Sequence, residues 1–378
     1  MKKNEILRSY GTDYKEMTKR LLDRADLAGE IRRKTGPVDA GGAEAGPRIG
    51  IKPNLVTPAP AEFGGTTHPE IAAGIIEYLQ EHGYSRITIA EGSWIGDRTE
   101  EAFEYCGYRE LSERYDVPLL DTQKDAAVPA DAAGMELSVC QCVRDFDFLI
   151  NVPVLKGHCQ THVTCALKNM KGLIPNREKR RFHTLGLHEP IARLNTVIRP
   201  DLIVIDHICG DPDFEEGGDP LVRNCIMAAL DPVLTDAYAC RLLGWSSEEV
   251  PYIGMAEKLG VGSADLSTLQ LITCEGDDSG DLPLEHRLLS VSYPVEDSDS
   301  CSACYAMLLP ALDRLREEGL LDRLDVPVAI GQGHRGREGI LGVGDCTRRF
   351  QYCVKGCPPG EEEMYLGLKE YIESKARS

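Results

Sequence analysis

Short apolar segments alternate with helical ones along most of this chain, and this alternation is the feature that most constrains its fold. The segment PRIGIKPNLV at 47–56 is a short apolar run, and a segment with helical periodicity follows it, with Pro69 near its start and Gly83 at its end. RITIAEG at 86–92 and the helical TEEAFEYCGY repeat the pair, and Gly107 is placed to end the second helix. The alternation predicts an α/β fold with a largely parallel sheet flanked by helices.

Further segments extend the same scheme as far as residue 276. Strands are predicted at 117–121, 146–155, 201–208 and 269–276, and helices at 187–198, 232–243 and 248–259. MELSVCQCV at 135–143 alternates instead, which favours a one-sided antiparallel or edge strand. The segments at 36–47 and 210–220 are rich in glycine, proline and acidic residues, and they predict turns or mobile loops rather than core.

Charge and hydropathy limit the partners that we expect for this chain. It carries 61 acidic and 42 basic residues, and its net charge of -19 repels nucleic acid and anionic membranes unless basic residues are locally concentrated. The N-terminal segment is charged, and no stretch approaches the length of a membrane span. We therefore expect a cytoplasmic protein with no nucleic-acid or membrane partner. Its fourteen cysteines then indicate thiols, metal ligands or buried side chains rather than disulfides.

The sequence pattern changes after residue 293, where a cysteine-rich segment begins. Cys301 and Cys304 form a C-x-x-C pair that opens a predicted helix, and further cysteines follow at 346, 353 and 357. Two thiolates three residues apart can reach one metal centre from a turn, and two more return through the fold to complete the site. We therefore predict an α/β domain over 1–292 and a small α+β metal-binding module over 293–378.

The spacing of these cysteines favours iron over zinc. A zinc site commonly pairs two short knuckles, whereas the second half of this set is spread through loops rich in glycine and proline. The sequence G-C-P-P at 356–359 resembles the ligands of 4Fe-4S clusters in the small subunit of hydrogenases and its respiratory relatives. We predict a 4Fe-4S cluster on Cys301, Cys304, Cys346 and Cys357, with Cys353 as the spare thiol. Zinc, and thiols with a redox or structural role, are the alternatives.

The segment at 156–190 concentrates lysine, arginine and four histidines in an otherwise acidic chain. This favours a small anionic ligand, a carboxylate or a phosphate. Lys156, His158 and Lys168 are the predicted acid–base groups, because histidine titrates near neutral pH and a lysine desolvated beside other cations can do so. The KRR run at 179–181 is better interpreted as a solvated basic loop. A metal knuckle around His158 and Cys165 is disfavoured, because helical spacing separates its ligands.

Four runs carry a resemblance to a known family: IKPNLV at 51–56, GGTTHPE at 64–70, NVPVLKGH at 151–158 and VTCALKNMKGLIP at 163–175. They resemble domain of unknown function 362 (DUF362), a family whose name carries no activity, and the match spans roughly 48–275. Some members are joined to cluster-binding ferredoxin segments, which agrees with the cysteine module. The resemblance places eleven residues at motif positions, and we expect those other than the three acid–base groups to bind substrate, with Asn169 orienting a substrate oxygen. The eleven are Lys52, Asn54, Thr67, His68, Lys156, His158, Thr164, Lys168, Asn169, Lys171 and His183. Capping of a helix that starts at Pro69 is the alternative role for Thr67 and His68.

Three classes of function remain open at this point. The first is an oxidoreductase in which the cluster exchanges electrons with a small anionic substrate or with a redox partner such as ferredoxin. The second is a lyase, isomerase or racemase that uses lysine and histidine for proton transfer beside a structural metal. The third is a non-catalytic metal-binding scaffold. No G-x-G-x-x-G fingerprint follows a predicted strand, so binding of a nucleotide in the usual way is unsupported, and the sequence leaves the oligomeric state open.

Overall fold

The computed structural model describes residues 1–36, 46–277, 284 and 291–376, so most of the predicted loop at 36–47 lies outside the described residues. The chain divides into two compact units, Met1–Leu284 and Glu285–Ser378. All fourteen cysteines carry free thiols. Each unit is built around its own parallel strands, and the two are described in turn.

The first unit contains twelve strands and eleven α-helices among its described residues. The strands are β1 (Glu5–Tyr10), β2 (Ile49–Pro53), β3 (Ile87–Glu91), β4 (Leu119–Asp121), β5 (Ala127–Ala132), β6 (Met135–Cys140), β7 (Phe148–Val152), β8 (Lys156–His158), β9 (His162–Thr164), β10 (Leu202–His207), β11 (Cys225–Ala229) and β12 (Gln270–Glu275). The helices are α1 (Tyr14–Ala25), α2 (Leu27–Thr35), α3 (Pro69–Glu81), α4 (Thr99–Tyr105), α5 (Tyr108–Tyr115), α6 (Cys142–Asp145), α7 (Ala166–Asn169), α8 (Asn176–Leu185), α9 (His188–Val197), α10 (Pro232–Leu242) and α11 (Pro251–Lys258).

Eight strands form the main sheet in the order β12-β1-β11-β10-β7-β2-β3-β4. Only β11 among them runs antiparallel to both of its neighbours, so the prediction of a largely parallel sheet flanked by helices is confirmed. The alternating segment at 135–143 becomes β6, which pairs antiparallel with β5 outside the main sheet. Sequence analysis did not assign β1 or β11. The first lies in the charged N-terminal segment, where Ile6 and Leu7 are nevertheless buried.

Helices cover both faces of the main sheet, and consecutive residues of one strand serve both layers. In β10, Leu202 and Val204 pack into the core that contains α1 and α3, whereas Ile203 and Ile205 pack into the core that contains α9 and α10. Burial of each such side chain contributes roughly 1.5–3 kcal/mol. Burial on both faces explains why the central strands read as continuous apolar runs rather than as alternating ones.

The second unit contains a smaller sheet whose four strands are all parallel. Its elements are β13 (Val295–Asp297), α12 (Ser302–Glu317), β14 (Val328–Ile330), β15 (Leu341–Val343), β16 (Tyr352–Val354) and α13 (Glu361–Ala376). The two helices pack on each other and bury Leu312 and Leu315 of α12 and Leu368 of α13. Across the described part of both units, no helix is long and apolar enough to cross a membrane.

Replacing Gly74 by alanine is expected to destabilise the first unit, whereas the same change at Gly254 is expected to stabilise it. Both glycines lie inside helices, where alanine is favoured by roughly 0.5–1 kcal/mol. At Gly74 the new methyl group would stand 2.6 Å from the carbonyl oxygen of Lys15, so α1 and α3 would have to separate. At Gly254 it meets nothing within 4 Å. Urea unfolding measures both free energies, and equal stabilisation by the two changes would contradict this packing.

Candidate functional site

A pocket lies where parallel strands of the main sheet end. Lys52 lies near the end of β2, Glu91 ends β3, and Lys156 opens β8 a few residues after β7. Eight of the eleven predicted catalytic and binding residues line it: Lys52, Asn54, Lys156, Thr164, Lys168, Asn169, Lys171 and His183. Glu91, Ser93, Lys179 and Glu215 complete its polar lining. We call it the lysine pocket, after Lys52, Lys156, Lys168, Lys171 and Lys179.

Lys52 forms a buried ion pair with Glu91. Its Nζ lies 2.8 Å from the Glu91 carboxylate, and it also donates to the carbonyl oxygen of Pro53 at 2.7 Å and to Oδ1 of Asn169 at 3.3 Å. Burial lowers the pKa of Lys52, and the charge of Glu91 opposes that shift. Gly172 is needed beside the pair, because a Cβ there would stand 2.4 Å from the lysine nitrogen. The pair therefore fixes the floor of the pocket.

Glu215 is the second carboxylate of the pocket, and two side chains donate to it. Lys168 Nζ and His158 Nε2 each lie 2.8 Å from Oε2 of Glu215, and all three residues are buried. Burial opposes ionisation, but these two donors hold the pKa of Glu215 well below its usual range. Glu215 is therefore an anion that neutralises part of the lysine charge.

Both ring nitrogens of His158 are occupied. Nδ1 accepts hydrogen bonds from the backbone N–H groups of Gln160 at 3.0 Å and Thr161 at 3.1 Å, so Nε2 carries the proton that is donated to Glu215. Burial lowers the pKa of His158 to about 4, which keeps the ring neutral. Although we expected an acid–base role, His158 orients Glu215 in this arrangement and is absent from the pocket wall.

Two more lysines of the pocket donate to backbone carbonyl groups. Lys156 Nζ donates to the carbonyl oxygens of Gly65 and Glu215, and Lys179 Nζ donates to those of Gly92 and Ser93 at 2.8 Å each. Burial lowers the pKa of Lys156 to about 7 and that of Lys179 to about 8. Lys179 thus departs from the solvated basic loop predicted for 179–181, because α8 turns it inward while its neighbours 180 and 181 stay exposed.

Three polar groups of the pocket have no hydrogen-bond partner among the described residues. Two of them are buried, Oγ1 of Thr164 and Nδ1 of His183. The third is Nζ of Lys171, on a half-buried side chain that lines the pocket. Burial first, and then the charge of Lys168, lowers the pKa of Lys171 to about 7. Burial and the charge of Lys171 lower the pKa of His183 to about 3, so its ring is neutral. These groups are free to contact a ligand.

The short helix α7 is held in place by groups outside it. Oδ1 of Asp236, from α10, accepts from the backbone N–H of Ala166 at 2.7 Å, and Oδ2 accepts from that of Leu167 at 3.2 Å. Asn169 donates to Oδ1 of Asn151 at 2.7 Å and to the carbonyl oxygen of Lys52 at 3.2 Å. These contacts hold α7 beside β2 and β7. They also occupy the side-chain amide of Asn169, which we expected to orient a substrate oxygen.

Thr67 and His68 lie outside the lining of the pocket. Oγ1 of Thr67 accepts from the backbone N–H of Asn54 at 2.7 Å and donates to the carbonyl oxygen of Val152 at 2.8 Å. His68 precedes α3 and pairs with Asp206 at 2.8 Å without a side-chain cap. Burial opposes its charge, but Asp206 raises the pKa of His68 to about 11. Both residues brace the strand ends behind the pocket.

The acidic segment at 210–220 forms no helix or strand, as predicted, but it is packed rather than loose. Asp211 is fully buried and accepts from the backbone N–H groups of Asp213, Phe214 and Asp219 at 2.8 Å each. A Cβ on Gly157 would stand 2.1 Å from the carbonyl oxygen of Pro212, so the loop lies directly on β8. This packing brings Glu215 into the pocket, which the composition of the loop did not reveal.

In the second unit the cysteines follow the carboxyl ends of parallel strands. Cys301 follows β13 and precedes α12, Cys346 follows β15, and Cys357 follows β16. Asp345 donates its backbone N–H to the carbonyl oxygen of Gly356 at 2.8 Å, and a Cβ on Gly344 would stand 3.6 Å from Sγ of Cys304. The topology therefore brings the four predicted ligands to one edge of the small sheet.

The four thiols also influence one another electrostatically. Burial, and then the charges of Cys301, Cys357 and Cys346, raises the pKa of Cys304 to about 12. Cys353 makes other contacts, with its Sγ 3.5 Å from the carbonyl oxygen of Gly344 and from Oγ1 of Thr347.

Two donors from the loop after β14 reach these sulfurs. Gln332 Nε2 and Arg335 Nε lie 3.5 Å from Sγ of Cys301 and Sγ of Cys346, respectively. We predicted no role for this glycine-rich loop, GQGHRGREG at 331–339, from the sequence. Within the described ranges, no group of three or more histidine, cysteine or acidic side chains is arranged to hold a metal ion. The thiols therefore share one edge and one electrostatic environment without the close grouping that a single ion requires.

Comparisons with known proteins find one family model and similar proteins from two organisms. A family described as "Domain of unknown function (DUF362)" matches residues 49–241, a little over half of the chain. A thylakoid-associated protein of Synechocystis is 25% identical over 248 residues, which cover 63% of this chain and 77% of that protein. A crystal structure of a protein from Thermotoga maritima aligns with 15% identity and a TM-score of 0.37, covering 62% of this chain and 60% of the other.

Replacing Glu215 by glutamine is expected to destabilise the protein by about 3–5 kcal/mol at pH 7, because it removes the charged partner of a buried ammonium group. The pKa of Glu215 is lower in the folded protein than the usual 4.5, so its contribution is complete above that pH and is lost as the pH falls below it. Urea unfolding at pH 7 and pH 4 should therefore show a smaller difference from wild type at pH 4. Glu113→Gln, which changes an exposed residue, is the control. If the loss of unfolding free energy in Glu215→Gln were the same at both pH values, the assignment of Glu215 as a buried anion would be contradicted.

Proposed function

We propose that this chain, which belongs to the DUF362 family, is an iron–sulfur oxidoreductase that acts on a small carboxylate or phosphate in its lysine pocket. The main support for this proposal is the charge of the pocket. Five lysines face two glutamates there, in a chain whose net charge is -19. Such a local reversal of sign in a buried site favours an anionic ligand.

The residues of the lysine pocket have distinct parts in binding. Glu91 and Glu215 hold Lys52 and Lys168 in place. The three N–H groups of Lys52 already have acceptors, whereas Lys168 keeps further N–H donors beyond Glu215. Neutral His158 keeps Glu215 oriented. Together they form a desolvated cationic surface in which hydrogen bonds to an anionic oxygen are stronger than in water.

Four cysteines of the second unit are the ligands that we propose for a four-iron cluster. Cys301, Cys304, Cys346 and Cys357 lie along one sheet edge, and N–H groups of Gln332 and Arg335 lie beside two of the sulfurs. Hydrogen bonds to ligand sulfurs tune the reduction potential of such clusters. When bound, a 4Fe-4S cluster would supply one-electron transfer to the reaction.

Anaerobically purified protein is expected to contain about four irons and four acid-labile sulfides per chain. Cys301→Ala and Cys357→Ala should lose most of both, because each removes one of four ligands. Cys353→Ala is the matched control and should keep them, since its thiol faces Thr347 and Gly344. Elemental analysis with visible and electron paramagnetic resonance spectra measures this outcome. Zinc in place of iron and sulfide would refute the redox proposal.

Lys168→Met is expected to weaken binding of oxalate at least tenfold, which is about 1.4 kcal/mol. Arg180→Met removes an exposed cation three residues before His183 and should leave binding unchanged. Affinity should also fall as the pH rises from 7 to 9, because the lowered pKa values of Lys156 and Lys171, about 7, and of Lys179, about 8, let these lysines lose their charge there. Isothermal titration calorimetry gives the affinities. Equal losses in the two variants would point to nonspecific charge effects instead.

A second candidate function, a lyase or isomerase, is favoured by one observation. Lys171 lines the pocket without a partner among the described residues, and its pKa of about 7 suits a general base at neutral pH. In that case the cysteine module would have a structural role. Turnover of substrate by cluster-free Cys301→Ala protein would favour the lyase or isomerase, and loss of turnover with the fold intact would favour the oxidoreductase.

A further inference from the structure

Lys171 differs from the other four lysines of the pocket in having no acceptor. Lys52 and Lys168 donate to carboxylates, and Lys156 and Lys179 donate to backbone carbonyl groups. Within the described residues, Nζ of Lys171 makes no hydrogen bond or ion pair, although it lines the same pocket. A lysine that only binds an anion must stay charged, and a neighbouring carboxylate stabilises that charge. Glu215 is such a neighbour for Lys168.

The groups that face Lys171 favour its neutral amine. Burial has the largest effect, and the charge of Lys168 adds to it, while Glu215 opposes and Lys179 reinforces the shift. With a pKa of about 7, Lys171 is present as both the neutral amine and the ammonium ion at neutral pH. A lysine desolvated beside another cation is the usual environment of an amine that attacks carbonyl carbon.

Two further unpartnered groups lie on the same pocket wall. Oγ1 of Thr164 is fully buried, on a residue that is 2% exposed, and Nδ1 of His183 is buried as well. A buried hydroxyl without a partner is unfavourable, so a ligand that accepts or donates a hydrogen bond there gains binding free energy. A polar ligand atom close to Lys171 would supply the missing contact.

We infer that Lys171 is a nucleophile whose Nζ forms an imine with the carbonyl carbon of a small oxo acid. This deepens the proposed function and rests on the anion-binding pocket within it. The amine requires a carbonyl group, and the surrounding lysines require an acid group, so an oxo acid meets both requirements in one molecule. Lys168 is the partner for its carboxylate, and the hydroxyl of Thr164 is the donor for its carbonyl oxygen.

The chemistry balances without an oxidant or a reductant. The lone pair of the neutral amine forms the C–N bond as the carbonyl π bond opens, and a proton moves from nitrogen to oxygen to give a carbinolamine. The hydroxyl group then takes the remaining proton of the former amine, passed on by water, and leaves as water while the nitrogen lone pair forms the C=N bond. Amine plus carbonyl gives imine plus water, and the buried site limits the reverse hydrolysis.

Reductive trapping tests the inference on the full-length, anaerobically purified protein. The protein is incubated with glyoxylate, pyruvate or 2-oxoglutarate and sodium cyanoborohydride at pH 7, and the product is analysed by intact-protein and peptide mass spectrometry. We expect one saturable adduct, located on Lys171 and suppressed by excess oxalate. Lys171→Met should lose it, and Lys258→Met, which changes an exposed lysine of α11, should keep it. If Lys171→Met fails to fold, the test still holds, because peptide mass spectrometry of the wild-type protein shows whether the adduct is on Lys171.

The outcomes separate this inference from the proposed function. Oxo acids that bind by calorimetry but leave no adduct on Lys171 would overturn the inference and leave the anion pocket standing. Adducts spread over exposed lysines without saturation would overturn it as well. Absence of both binding and adduct would reject the pocket together with the nucleophile.

Discussion

The ionised carboxylate of Glu215 is the interaction on which the lysine pocket depends. Leaving an ammonium group buried without its partner costs several kcal/mol, and Glu215 offsets that cost for Lys168 through its side chain. Its backbone carbonyl also accepts from Lys156, and neutral His158 fixes its orientation. The loop that carries Glu215 is shaped in turn by fully buried Asp211, which binds three backbone N–H groups. Binding at the pocket and folding of this loop are therefore linked.

Only some lysines of the pocket are paired with a carboxylate, and the paired and unpaired lysines therefore suit different chemistry. Glu91 and Glu215 keep Lys52 and Lys168 paired, whereas Lys171 is left with burial and like charges. In the proposed function, a lysine paired with a carboxylate contributes to anion binding. An unpaired lysine with a pKa near neutrality can also exchange a proton or attack a carbonyl group. The proposals therefore give recognition and reactivity to different lysines of the pocket.

The small sheet of the second unit gathers its cysteines by the same geometric rule. Parallel strands end on one side, so loops that are far apart in the chain meet there. Cys304 approaches Gly344, which lies 40 residues later in the chain, and Asp345 donates its backbone N–H to the carbonyl oxygen of Gly356. The spacing of the cysteines indicated a shared site. It gave no sign that Gln332 and Arg335 would reach two of the sulfurs.

The sequence alone predicted many of the elements and most of the residues that line the pocket, because periodicity, caps and polar strand ends are local. The predicted helix with Pro69 near its start became α3, and the polar residues after β2 and on α7 met as expected. Strand order, the antiparallel β11 and the inward turn of Lys179 required the tertiary structure. So did the arrival of Glu215 from a loop 47 residues after Lys168. Such contacts depend on which distant segments pack together, and the pKa of each buried group follows from those neighbours and not from its residue type.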